Sequence, residues 1–131
     1  NRIKLYYVEL TDIVRTFIER EMKIPALEST SEELLETITD FNASSNLNIP
    51  SETLAKLRRL LQEADLVKFA KMKPLLNEIE LHRQDAETVI DVMHPAHEER
   101  MKREREEEKN RIEQEKKEEM KKMEEETQLK E

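Results

Sequence analysis

The stretch "EMKIPALESTSEELL", Glu21 to Leu35, stops one helix and starts another. The apolar rhythm before it ends at Met22. Pro25 pushes Ile24 toward extended backbone, because the proline ring crowds the residue before it. Thr30 then opens a new rhythm. "TSEE" puts a hydroxyl at the N-cap and Glu33 three residues on, a capping box whose cap oxygen contributes about 1 kcal/mol. Such a reversal between two amphipathic segments points to a helical bundle. It is made without glycine, which the whole chain lacks and which usually makes reversals cheap.

Upstream of the corner, Tyr6, Leu10, Ile13, Val14, Phe17, Ile18 and Met22 repeat at helical spacing. Glu9, Asp12, Arg15, Glu19 and Arg20 fill the opposite side, so the pattern predicts an amphipathic first helix with those polar residues outward. Downstream, Leu34, Leu35, Ile38 and Phe41 or Asn42 make the inward face of a short second helix. "NASSNLN" (42–48) is uncharged and reads as a loop.

Pro50 fits the first turn of a third helix, where its missing N–H costs nothing. The apolar positions there are Leu54, Leu57, Leu60, Leu61 and Ala64. The phase shifts at Asp65, either because the helix continues with a wider stripe or because Asp65 caps a new turn; the pattern favours a continuous or slightly kinked helix. Pro74 ends it. Leu75, Leu76, Ile79, His82, Ala86, Val89, Ile90 and Met93 then form the face of a fourth helix.

His94 and Pro95 mark a change of composition. From His97 to Glu131 there are 14 acidic and 11 basic residues, with Met101, Ile112, Met120, Met123 and Leu129 as the apolar exceptions. Those five keep no heptad, which speaks against a coiled coil. Pairs at i,i+4 (Glu98–Lys102, Glu99–Arg103, Glu107–Arg111, Glu113–Lys117, Glu118–Lys122) would support a solvated helix by roughly 0.2–0.5 kcal/mol each. The expected architecture is therefore all-α: a bundle of about four helices over residues 1–95, then a long, highly charged helix over 96–131, either solvated on its own or a coiled-coil-like tail that depends on a partner.

Composition narrows the function. Charged residues are 41% of the 131 and aromatics 4%, so a core has to be aliphatic. The net charge of −8 argues against nucleic acid and anionic membranes as partners, since both need a basic surface. Without cysteine there is no disulfide, thiolate metal site or cysteine nucleophile. No segment reaches the ~18 apolar residues of a membrane span, and the chain begins without methionine in mid-pattern, so it reads as a piece of something longer.

Catalytic and metal motifs are weak. "HPAHEE" brings His94, His97 and Glu98 together, but Pro95 places His94 outside the helix, and a further ligand is not evident at a recognisable spacing. His82 on the inward face reads as a half-buried histidine bonded to a neighbour. Serines 29, 31, 44, 45 and 51 lie in loops and caps. We expect no catalytic residues, cofactor or metal. The least generic stretch is "ADLVKFAKMKP" (64–74), where Asp65, Lys68, Phe69, Lys71 and Lys73 are candidates for a partner-docking surface with a basic rim, Lys68 and Lys71 both exposed. The competing reading makes Leu66, Val67 and Phe69 core residues.

The same stretch carries a family resemblance. "YYVELTDIVRTFIEREMKIPALESTSEELLETI", followed after a loop by "LRRLLQEADLVKFAKMKP", resembles the cytoplasmic domain of membrane-anchored proteins of Bacteroides aerotolerance (Bat) operons, over about residues 5–75. The shared pattern is a Tyr-rich first helix, an "IPA" corner, a "T-S/T-x-E" restart and "ADLVKFAK". The resemblance implies a non-enzymatic interaction module at the cytoplasmic face of a bacterial inner membrane. Its implied partners are a MoxR-type AAA ATPase and von Willebrand factor A domain proteins. Two departures stand out. The family corner usually carries glycine before "IPA", where this chain has Lys23, and the charged tail is no family feature. The alternative expectation is a structural module that forms homo-oligomers through the C-terminal helix. On either reading the corner itself is architecture, folding the second helix back over the first.

Overall fold

Amphipathic periodicity, two proline-marked breaks and strong helix formers produce four α-helices. In the computed structural model, which describes residues 2–45 and 47–130, they are α1 (Arg2–Met22), α2 (Ser31–Ser45), α3 (Ser51–Phe69) and α4 (Leu76–Lys130). No strand occurs among the described residues. The chain divides into two compact units, 1–97 and 98–131, so α4 contributes its first part to one and the rest to the other.

The core of the first unit is aliphatic. Val14 and Ile18 of α1, Leu34 and Ile38 of α2, Leu57, Leu60 and Leu61 of α3, and Val89 and Met93 of α4 are buried in one cluster. At about 1.5–3 kcal/mol for each fully buried Leu, Ile or Val, these side chains are the main stabilising term. A smaller cluster around Tyr7, Ala64 and Val67 closes one end. Cross-helix contacts fix the directions. Tyr7 meets His82 and Glu21 meets His94, so α1 and the first part of α4 run the same way. Thr11 meets Lys68 and Arg59 meets Asp85, so α3 runs against both.

The corner after α1 is held by an arginine. Lys23 ends the helix in the left-handed region at φ 56°, its N–H still donating to Glu19 O. Arg15, which apolar periodicity puts on the outer face, is buried instead. Its Nη1 donates to Ala26 O (2.8 Å) and Ser29 O (2.7 Å), and its Nη2 donates to Ser31 Oγ (3.0 Å). One guanidinium thus satisfies three acceptors of the turn, the planar fork geometry that lysine cannot reproduce. Thr30 caps α2 as its sequence pattern predicts, Oγ1 accepting the Glu33 N–H at 3.2 Å.

Several details depart from the periodic reading. The buried face of α1 is Tyr7, Thr11, Val14, Arg15, Ile18 and Met22, while Ile13 is 59% exposed. The face is rotated because Thr11 and Arg15 find partners inside. α2 runs on to Ser45, so most of the expected loop is helix. Asn42 then grips Ile49, accepting its N–H at 2.9 Å and donating to its carbonyl at 3.2 Å. Leu47 and Ile49 in this connection are core residues. Pro50 is the N-cap of α3 rather than its first helical residue.

α3 continues without a break through Asp65, as expected, but ends at Phe69, well before Pro74. Leu75 and Leu76 point outward, and α4 instead buries His82, Asp85, Ala86, Val89 and Met93. Asp85 is held by Arg59 in a bidentate pair, Nε–Oδ2 at 2.8 Å and Nη2–Oδ1 at 2.6 Å. Pro95 does not interrupt α4. An interior proline costs about 3 kcal/mol. Met93 on one side and Ala96 on the other are both packed on the core, and that anchorage holds the turn helical.

Candidate functional site

The turn after α3 gathers the lysines. Ala70 caps the helix with its N–H on Leu66 O, Lys71 turns left-handed at φ 57°, and the Met72 N–H also reaches back to Leu66 O at 3.1 Å. This fold-back, anchored by buried Pro74, leaves Phe69 at the rim with 79% of its surface exposed. Lys4 from α1 together with Lys68, Lys71 and Lys73 surrounds a shallow depression floored by Val67 and edged by Phe69. Four lysines lining one depression with Phe69, in a chain of net charge −8, form a local basic spot.

The five candidate residues are not equivalent. Lys71 and Lys73 are exposed and lie outside the helix, in the turn. Lys68 is half-buried, contrary to the expectation that it projects freely. Its Nζ donates to Thr11 Oγ1 at 3.1 Å and sits 5.8 Å from the centre of the Phe69 ring. Burial pushes the Lys68 ammonium below its ordinary range and nearby Arg15 adds to that, while Asp65 and Asp12 oppose it. Asp65, itself half-buried, therefore acts as a countercharge to Lys68. Lys4 was missed from the sequence because it lies over sixty residues away, brought in only by the antiparallel packing of α1 and α3.

A second polar arrangement lies inside the bundle. His82 is buried, and its Nδ1 is 2.5 Å from the Tyr7 hydroxyl, the two rings meeting edge to face. In the tautomer protonated on Nε2, the phenol O–H donates to Nδ1. Burial holds His82 below its ordinary value, against the opposing pull of Glu63, Asp85 and Glu78, and Arg59 adds to the lowering. Tyr7 is pushed up to about 12, by burial first and then by Tyr6, Glu78 and Glu63. Two groups tuned toward neutrality and locked on each other hold α1 to α4, which matches the structural role expected for His82.

The third arrangement joins the end of α1 to α4. His94 and His97 both lie on α4, and both face Glu21: His94 Nδ1 is 3.1 Å from Oε1, and His97 Nε2 is 3.9 Å from Oε2. The expectation that Pro95 displaces His94 from the helix is overturned by the continuity of α4. His97 Nδ1 is buried without a hydrogen-bond partner.

No family model, no curated protein and no solved structure matches this chain.

Proposed function

We propose that the first unit is a non-enzymatic protein-docking module whose contact surface is the lysine-ringed Phe69. We further propose that it works at the cytoplasmic face of a bacterial inner membrane, anchored by a segment outside this chain. Its partners in this reading are a MoxR-type ATPase and von Willebrand factor A domain proteins. The resemblance of residues 5–75 to Bat-type proteins supports the setting. The observation that carries the surface is the exposure of Phe69 within four lysines. A phenylalanine left in water forgoes about 1.5–3 kcal/mol of burial, and aromatic residues with a polar rim are the usual anchors of interfaces. The basic rim fits an acidic segment with an apolar residue for the ring, and steers its approach more than it sets affinity.

The test is a binding titration of the full chain against the ATPase and von Willebrand factor A proteins of a Bat operon at two salt concentrations. Phe69→Ala should weaken binding about tenfold or more, an effect of ~1.4 kcal/mol. Lys71→Glu with Lys73→Glu should slow association, most at low salt, with helicity unchanged. Lys68 is left intact because its bond to Thr11 makes it part of the fold. Binding that ignores both changes removes this surface. Absence of binding together with a concentration-dependent mass would favour homo-oligomerisation instead.

A further inference from the structure

We propose that residues 98–131 pair with the same segment of a second copy of this chain, parallel and in register, along a stripe set by Met101, Ile112 and Met123. The apolar residues of this segment keep no heptad, but these three stand eleven positions apart. Eleven residues make three helical turns plus about 20°, so the three stay on one side of the helix and drift only slowly around it. A repeat of that length suits helices wound about each other with a right-handed supercoil, opposite to that of heptads. The stripe is open: Ile112 is 40% exposed and Met123 61%, and Met120 and Met123 line a shallow surface depression.

The charges bordering the stripe say what covers it. At about 100° per residue, Glu108, Glu115, Glu119 and Glu126 fall within about 60° of Ile112 on one side. Arg105, Lys109 and Lys116 fall within the same angle on the other, with Glu98 as the exception. In a parallel pair, a two-fold axis along the helices lays the acidic border of each copy against the basic border of the other, on both sides of the seam. Glu108 then lies level with Lys109 of the second copy, and Glu115 with its Lys116. An antiparallel pair would instead set acid against acid. Charges flanking a helical seam select partner and orientation in this way.

The basic border is available for such contacts. Among the described residues, Arg105, Lys109 and Lys116 make no ion pair within the chain. Glu108 and Glu115 share Arg111 yet stay 53% and 68% exposed. Arg105 and Glu119 interrupt the stripe between its apolar members, so the pairing is weak and sensitive to salt. It does not depend on the Phe69 surface.

The experiment is sedimentation of the full chain from low to high micromolar concentration at two salt concentrations, with helicity followed by circular dichroism. Mass should rise from one chain to two, and raised salt should weaken the dimer. Ile112→Lys should weaken it at least tenfold. Reversing the acidic border (Glu108→Lys, Glu115→Lys, Glu119→Lys) or the basic border (Arg105→Glu, Lys109→Glu, Lys116→Glu) should each leave a monomer, and mixing the two variants should restore a dimer. Because the chain has no cysteine, Met101→Cys reports direction: a parallel pair cross-links to itself at that position. The proposal is overturned if the full chain stays monomeric throughout, if Ile112→Lys leaves the dimer intact, or if the mixed variants remain monomers. It is overturned equally if Met101→Cys cross-links only to a chain carrying Met123→Cys, the antiparallel arrangement.

Discussion

Arg15 decides the corner, and nothing in the local sequence announces it. Periodicity sorts residues by polarity and so sends an arginine outward. What keeps this one inside is a set of acceptors 11 to 16 positions away, Ala26, Ser29 and Ser31. Hydrogen bonds from a charged donor are worth about 1.5–3 kcal/mol, and an acceptor stripped of its donor in a buried place is left with its desolvation cost. Arg15→Ala should therefore cost about 3 kcal/mol in urea unfolding, with Arg15→Lys recovering little. Thr30→Ala should cost about 0.5–2 kcal/mol, and Ser29→Ala, whose hydroxyl is exposed on Pro25 O, much less. A larger loss at Ser29 than at Thr30 would contradict the cap. His82 and Tyr7 set a pH window. The folded chain resists protonating His82, so below about pH 6.5 the unfolded chain takes up the proton first and stability falls as pH falls. Tyr7, pushed up to about 12, acts at the other end: the unfolded phenol ionises near 10, so stability falls as pH rises above it. Urea midpoints should be level at neutral pH, where neither group changes charge. His82→Phe should remove about one proton from the acid slope; an unaltered slope would show that other groups cause it.

Among the described residues, each connection between helices contains one with positive φ, namely Lys23, Asn48 and Lys71, and none is glycine. Asparagine tolerates that region, whereas a side chain such as lysine costs roughly 1 kcal/mol there. Lys23→Gly and Lys71→Gly should thus raise stability by up to about 1 kcal/mol, and Asn48→Gly should change little. A loss at Lys23 would mean that its side chain, not its backbone, holds the corner. The same connections show what could be read in advance. Caps and proline breaks were legible at Thr30 because they act within four residues. The end of α2 was not, because Asn42 serves a backbone group seven positions on. Continuity through Pro95 was hidden too, since it depends on Met93 and Ala96 meeting a core assembled from other helices. The proposed docking surface was half legible. Its lysines stand out in the sequence, but the exposure of Phe69 follows from where α3 stops, and Lys4 arrives only with the fold.

The two units differ in what stabilises them. Residues up to His97 share aliphatic clusters. In 98–131 the apolar side chains Ile112, Met120, Met123 and Leu129 are exposed. Helix there rests on near-neighbour pairs such as Arg100–Glu104 at 3.0 Å, and Arg111 lies between Glu108 and Glu115, where the sequence had suggested Glu107. Such pairs are worth a few tenths of a kcal/mol each and are screened by salt. The aliphatic burial of the first unit is insensitive to salt on that scale. Two consequences follow for a chain cut after His97. Its urea midpoint should correspond to a change below about 1 kcal/mol, because no large apolar surface is removed. The full chain, in contrast, should lose helical circular-dichroism signal on raising salt or on mild heating before the bundle unfolds, and the cut chain should show only the later transition. A single transition in the full chain, moved sharply lower by the truncation, would show instead that the charged helix is part of the cooperative core.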